Sequence, residues 1–323
     1  MITRPELLTP EFRALSARLG QDPLQVQGPG GNTSVKDGRV MWIKASGTEL
    51  ADAERQDIFV AVDRDAAKAE AHGDGDGSCK STGLDPRISL RPSIETTFHA
   101  ALEASVVVHT HSVATLVHAA SPEGLALLPE KLDGLNYIAV PYAKPGLPLT
   151  GEILARASAD TQVFILQNHG LIAMGETVEE VSQIVADVET RLAMPALRGD
   201  DVVPSHDAPD GFSWAYASWI ARDAVACARA LRGSYYPDHV VFLGPGLPVQ
   251  DHDGAPPALV LPEDGVLIRD HATSSQRAML RCISDVLARV PNGWSMNPIG
   301  ADAEAELLNW DAEKYRQALA ARQ

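Results

Sequence analysis

The sequence predicts an α/β protein, and three observations carry that prediction. Across the first 195 or so residues, short β-branched apolar runs alternate with helical stripes; an Asp- and Pro-rich stretch then breaks the texture; beyond it, helical stripes return around a hairpin signature. With 323 residues, 45% of them hydrophobic, the chain can bury one large core or two ordinary ones. The expected organisation is a first domain over residues 1–197, a linker over 198–211, and a C-terminal α+β extension over 212–323 that packs on the first domain.

Taken in order, the first punctuation is Gly28-Pro-Gly-Gly-Asn-Thr-Ser34, a glycine-rich loop, followed by the strand-like run Val40 to Ile43 and a second loop, Lys44-Ala-Ser-Gly-Thr48. Such loops leave backbone N–H groups free to surround an anion, and Asn, Ser and Thr add side-chain donors. Neither loop fits the P-loop or the dinucleotide-binding pattern. Residues 68–87 carry four glycines and read as a surface insertion. Its Asp74-Gly-Asp-Gly-Ser78 start resembles a calcium loop, but Cys79 replaces the turn glycine and Asp85 the bidentate glutamate. Pro92-Ser93 is a helix-start signal, with Ser93 as N-cap, Glu95 in the first turn, and Ile94, Phe98, Ala101 and Leu102 as the apolar stripe.

Val106-Val-Val108 has the composition of a buried strand, and the run continues through His109-Thr110-His111. Side chains alternate along a strand, so the two histidines share a face roughly 7 Å apart at Cα, a spacing at which both rings can reach one metal ion. Val163 to Leu166 is a second apolar strand and Leu171 to Met174 resumes it. Between them stands Gln167-Asn168-His169-Gly170, a polar island that is costly to bury unless each group finds a partner. Thr177-Val-Glu-Glu180 matches a capping box for a scaffold helix. In the extension, the sequence predicts a helical stretch over 213–231, strands at His239–Leu243 and within 258–269, where Glu263-Asp264-Gly265 signals a hairpin, and two terminal helices.

His109, His111, His169 and Glu95 form the candidate metal set. His99, one helical turn after Glu95, competes with them, as do His118, His72, His206, His239, His252 and His271. The net charge of −16 argues against nucleic acid and anionic membranes, both of which reward clustered Lys and Arg, and leaves small molecules or further subunits as partners. Three scattered cysteines give neither a disulfide framework nor a thiolate zinc site, which fits a cytoplasmic protein. The first residues lack the apolar core of a signal peptide, and no run approaches the roughly 18 apolar residues of a membrane span.

In this order, Gly-Gly-Asn32-Thr-Ser, Ala-Ser46-Gly47-Thr, Pro-Ser93-Ile-Glu95, His109-Thr-His111, Pro141-Tyr142-Ala and Gln-Asn-His169-Gly-Leu-Ile resemble the class II aldolase/adducin family, over about residues 8–195. The C-terminal part is similar to longer members related to bifunctional rhamnulose-phosphate aldolase/dehydrogenases, with the dehydrogenase part absent. The resemblance implies a three-layer α/β/α domain with a largely antiparallel central sheet, assembled as a homotetramer. It implies zinc, or another divalent metal such as manganese or cobalt, on His109, His111 and His169. Glu95 is then a fourth ligand that can swing away and act as base. Gly31, Asn32, Ser46, Gly47 and Ser93 match positions that hold the substrate phosphate, and Tyr142 a proton donor from the neighbouring subunit. Several aldolases read Ser-Ser-Glu where this chain reads Ser93-Ile94-Glu95, a lost hydroxyl that Lys44 offsets with a positive charge.

The implied activity is that of a lyase of carbohydrate metabolism, cleaving a ketose, expectedly a sugar 1-phosphate, through a metal-stabilised enediolate. Decarboxylation, epimerisation or dehydration of a sugar phosphate or sugar acid would use the same site. A non-catalytic adducin-like role predicts loss of ligands, whereas all four are present.

Overall fold

The computed structural model describes residues 3–199, 203–251 and 254–321; His252 and part of the expected linker, residues 200–202, lie outside them. In chain order, the first elements are α1 (Pro10–Gln21), β1 (Asn32–Asp37), β2 (Val40–Lys44), β3 (Phe59–Asp63), α2 (Arg64–Ala71), α3 (Thr96–Ala101) and β4 (Val106–Thr110). Then come α4 (Val113–Ala119), α5 (Pro122–Lys131), β5 (Tyr137–Val140), α6 (Leu147–Leu154), β6 (Val163–Leu166), β7 (Gly170–Gly175) and α7 (Val178–Leu192). The remainder is β8 (Phe212–Trp214), α8 (Trp219–Arg222), α9 (Ala224–Arg232), α10 (Pro237–Leu243), β9 (Ala258–Leu261), β10 (Gly265–Arg269), α11 (Ser274–Arg289), α12 (Ala301–Leu308) and α13 (Asp311–Ala320).

Two compact units share these elements: one runs to Ser112 and resumes over Glu130–Arg191, and the other combines Val113–Pro129 with the chain beyond Arg191. The second unit thus includes an excursion from the middle of the sequence, which a linear boundary near residue 198 does not contain.

The first unit is built on a seven-stranded sheet in the order β3-β2-β1-β4-β7-β6-β5. Its pairings are antiparallel apart from β5 with β6, which run parallel with Val140 opposite Leu166. Local chemistry sets the element ends. Gly38, at φ 57°, turns the two-residue hairpin between β1 and β2, where Asp37 pairs with Val40. Asp63 caps α2, its carboxylate accepting from the N–H groups of Asp65 and Ala66. Thr9 does the same for α1 through the Phe12 N–H. Phe98 on α3 and Leu149 and Ile153 on α6 pack with Val107, Phe164 and Ile172 of the sheet into one apolar cluster. His109 shares the Val107 face by alternation, with its ring edge-on to Phe98 at 6.0 Å.

Several expectations change. Glu95 occupies the N-cap position of α3, one residue outside the helix, and Ser93 lies before it. The Ser93 hydroxyl accepts from the Glu95 N–H at 3.2 Å in a local turn, which delays the helix, while the Glu95 carboxylate is drawn away to other partners. At α7 only half of the capping box forms. Thr177 accepts from the Glu180 N–H, but the Glu180 carboxylate accepts from the Glu176 N–H and the Gln162 amide.

In the second unit, β8, β10 and β9 form a three-stranded sheet in that order, and β9 and β10 make the hairpin that the Glu263-Asp264-Gly265 turn signals. His239–Leu243, expected as a strand, lies in α10. Pro237 sits in the first turn with its φ preset for a helix, and the run is buried on every side, so burial outweighs the β-preference of Val240 and Val241. The stretch expected as one helix over 213–231 is β8 followed by α8 and α9, and among the described residues three helices rather than two follow the hairpin. None of the described helices is long and apolar enough to cross a membrane.

Candidate metal and substrate site

His109 is near the end of β4 and His111 just past it, while His169 stands in the tight turn that joins β6 to β7. That turn depends on its neighbours. Asn168 adopts φ 52°, and Gly170 lies where a Cβ would meet the Thr110 carbonyl oxygen at 2.2 Å, so only glycine lets the turn close on β4. The three imidazoles are buried and offer nitrogens within 4.8 Å of one another. Their ring centroids form a triangle with sides of 5.0, 4.9 and 5.3 Å. His109 Nδ1 faces the Leu171 carbonyl at 2.9 Å, which makes it the protonated nitrogen and turns Nε2 toward the group.

Glu95 completes the arrangement. Its Oε2 lies 3.4 Å from His109 Nε2 and its Oε1 lies 3.5 Å from His169 Nε2. Burial alone would push this carboxyl up. His109 and His169, the Asn32 amide and His111 outweigh that effect and hold it at about 2, so Glu95 is a carboxylate. The donors fit a divalent ion: two of the separations match the roughly 3.3 Å edge expected of a tetrahedron with bonds of about 2.0–2.1 Å, and three imidazoles with a carboxylate suit zinc and its neighbours.

Around this group the structure gathers most of the other expected residues. Asn32, opposite His109 in the β1/β4 pairing, donates from Nδ2 to Glu95 Oε2 at 2.8 Å and to the Ser93 hydroxyl at 3.2 Å. Ala45 bridges to Pro92, and the Ser46 N–H donates to the Arg91 carbonyl, which brings the second loop alongside Ser93. Gly31 and Gly47 both have left-handed backbones, and a Cβ on Gly31 would meet the His109 carbonyl at 2.9 Å. Lys44 is buried, its ammonium donating to the carbonyls of Pro29 at 3.0 Å and Thr48 at 2.6 Å, so it joins the two loops. Tyr142 is partly exposed beyond β5. Because β5 and β6 run parallel, it leaves the sheet at the same end as His169.

The competing histidines go elsewhere. His99 is hydrogen-bonded to Asn32 and Ser34. His118, in the second unit, contacts the Ala114 carbonyl and the Trp294 ring. His239 is buried in α10, and His72, His206 and His271 are exposed. Sequence reasoning missed the support behind His111. Gln27 donates to the His111 carbonyl, and Glu189 on α7, with its carboxyl pushed up by burial to about 7, bonds Ser112 and Gln25. A Gln-x-Gln pair ahead of a glycine loop and one Glu on a helix carry no distinctive spacing.

Residues 12–194 match the family model for the Class II Aldolase and Adducin N-terminal domain. The chain is 32% identical over 185 residues to the uncharacterized oxidoreductase YuxG of Bacillus subtilis, spanning 51% of this chain and 26% of that protein. It is 31% identical over 130 residues to a 3-oxo-tetronate 4-phosphate decarboxylase of Escherichia coli, spanning 34% of this chain and 58% of the relative. It therefore covers less than two thirds of either relative's length. With an L-fuculose phosphate aldolase of Methanococcus maripaludis it shares 28% identity over 170 residues, 50% of this chain and 82% of that one. A solved structure, the N-terminal class II aldolase domain of a conserved protein from Thermoplasma acidophilum, matches at 29% identity with a TM-score of 0.51, over 56% of this chain and 90% of the other. Since the family model takes in more than half of the chain, the protein belongs to the class II aldolase and adducin family.

Proposed function

We propose that the protein is a divalent-metal-dependent carbon–carbon lyase of the class II aldolase type, cleaving a ketose 1-phosphate. The observation that carries the reading is the buried triangle of His109, His111 and His169 with the two Glu95 oxygens turned to two different rings. In this reading zinc or a similar ion is held by those four residues and supplies Lewis acidity to the carbonyl and neighbouring hydroxyl of the sugar. Glu95, as the ionised group, takes or returns the proton at the carbon that becomes nucleophilic when the C3–C4 bond breaks. Asn32 orients it. Gly31, Ser46, Gly47 and Ser93 hold the phosphate with backbone and hydroxyl donors, and Lys44 adds a positive charge.

Tyr142 is assigned the proton at the aldehyde oxygen, reaching the site of a neighbouring subunit in a cytoplasmic homotetramer of three-layer α/β/α domains. Decarboxylation of a sugar-acid phosphate is the second reading. Similarity to a 3-oxo-tetronate 4-phosphate decarboxylase favours it, and it too leaves an electron pair on the carbon next to a carbonyl.

The test begins with metal analysis of the purified protein, expected to give one divalent ion per chain. Ketose 1-phosphates are then screened for release of dihydroxyacetone phosphate and an aldehyde, and 3-oxo acid phosphates for carbon dioxide. A protein that takes up no divalent ion would sink both readings.

A further inference from the structure

His99 on α3 is fully buried, and three successive inward residues of β1 reach it. Asn32 Oδ1 contacts its Nε2, the Ser34 hydroxyl lies 2.7 Å from its Nδ1, and the Lys36 ammonium donates to its backbone carbonyl at 2.8 Å. Residues 32, 34 and 36 share one face of the strand by alternation, so a single histidine takes up that whole face.

The Asn32 amide orients this hydrogen-bond chain. The Asn32 Nδ2 donates to Glu95 Oε2 at 2.8 Å and to the Ser93 hydroxyl at 3.2 Å, which leaves the Asn32 oxygen toward His99. An amide oxygen only accepts, so His99 Nε2 carries the proton and Nδ1 accepts from Ser34. Turning the amide over would set its oxygen against the Glu95 carboxylate. We infer that His99 is a positioning residue: its Nε2–H locks the Asn32 amide in the orientation that holds Glu95 against the three imidazoles. The inference deepens the metal-lyase reading and rests on it for the role of Glu95. It also separates His99 from the ligand set, since both ring nitrogens are engaged behind Asn32.

Two measurements test it. Nitrogen-15 NMR of the metal-free protein should show His99 as a neutral ring protonated at Nε2; protonation at Nδ1 would overturn the inference, and this arm requires no variant. Zinc or cobalt(II) titration then follows for His99→Phe, which keeps the ring stacked on Phe98, for His99→Gln, which can donate and accept like the imidazole, and for Asn32→Ala with and without His99→Phe. His99→Phe should lose roughly 10–100-fold in ion affinity, as for other residues that orient ligands, and His99→Gln should recover most of it. The double variant should be no weaker than Asn32→Ala alone, because His99 acts through Asn32. Additive losses would show instead that the ring only fills space. If the unaltered protein binds no ion, the functional reading fails while the tautomer still decides the hydrogen-bond chain.

Discussion

Asn32 and His109 stand directly opposite each other in the antiparallel β1/β4 pairing, so one strand register sets both the imidazole and the amide that grips Glu95. A slip of one residue would turn Asn32 to the other face of the sheet and release the carboxylate. The electrostatics of the site are thus a property of how two strands align.

Glu95→Gln should separate ion binding from turnover. The amide keeps one oxygen and the shape of the side chain but cannot take a proton, so activity should fall about 10²–10⁴-fold while bound metal persists. Metal content and initial rates on the same preparation check this. Equal loss of both would remove the base role.

Gly170→Ala should be severely destabilising. Its Cβ would lie 2.2 Å from the Thr110 carbonyl oxygen at a φ of 154°, and neither strand can retreat without breaking the β4/β7 pairing. A loss above about 3 kcal/mol is expected by chemical denaturation. Gly151→Ala, inside α6 with nothing within 4 Å of the new methyl, should be neutral or gain up to about 1 kcal/mol.

Lys36 gives a pH signature. Burial, with Arg64 close by, pushes its ammonium down from 10.5 to about 7. Between these values the unfolded chain holds a proton that the folded chain lacks, so this contribution to stability rises with pH from about 7 to 10 and is constant below 7. Lys36→Met lacks that slope. Its stability relative to the unaltered protein should fall by on the order of 3 kcal/mol from pH 6 to pH 10, as read by urea unfolding across the range.

In the second unit, Arg316 bonds Asp238 at 2.8 and 3.0 Å and Glu313 at 2.8 and 3.1 Å, and all three are buried. Arg316→Ala removes the cation that these two carboxylates share and should cost about 3–5 kcal/mol. Loss of the α11–α13 helical signal at lower denaturant would register it. Arg316→Ala with Asp238→Asn and Glu313→Gln should recover part of that loss.

Much of the site was legible because its signals are local. Strand alternation alone pairs His109 with His111, and the cost of burying an unexplained polar island marks His169. What escaped depends on contacts distant in sequence. Glu95 and His99, four apart, read equally well as two ligands of one ion. Only the β1 strand packed against them shows that one belongs to the imidazole group and the other to its support. The α10 run misleads for another reason: the four apolar residues Val240 to Leu243 carry no period, and Pro237 is the better guide. The grouping of Val113–Pro129 with the chain beyond Arg191 has no local signature.

Lys44 ties the carbonyls of Pro29 and Thr48 to one ammonium, so the two glycine loops are already fastened together in the folded chain. Ordering a free backbone residue costs about 1–2 kcal/mol in conformational entropy. In the proposed reading, that loss falls at folding and is absent from the encounter with the substrate phosphate. Lys44→Met should move it back, so that ion or phosphate association becomes entropically more unfavourable in calorimetry even where the contacts made in the complex are unchanged.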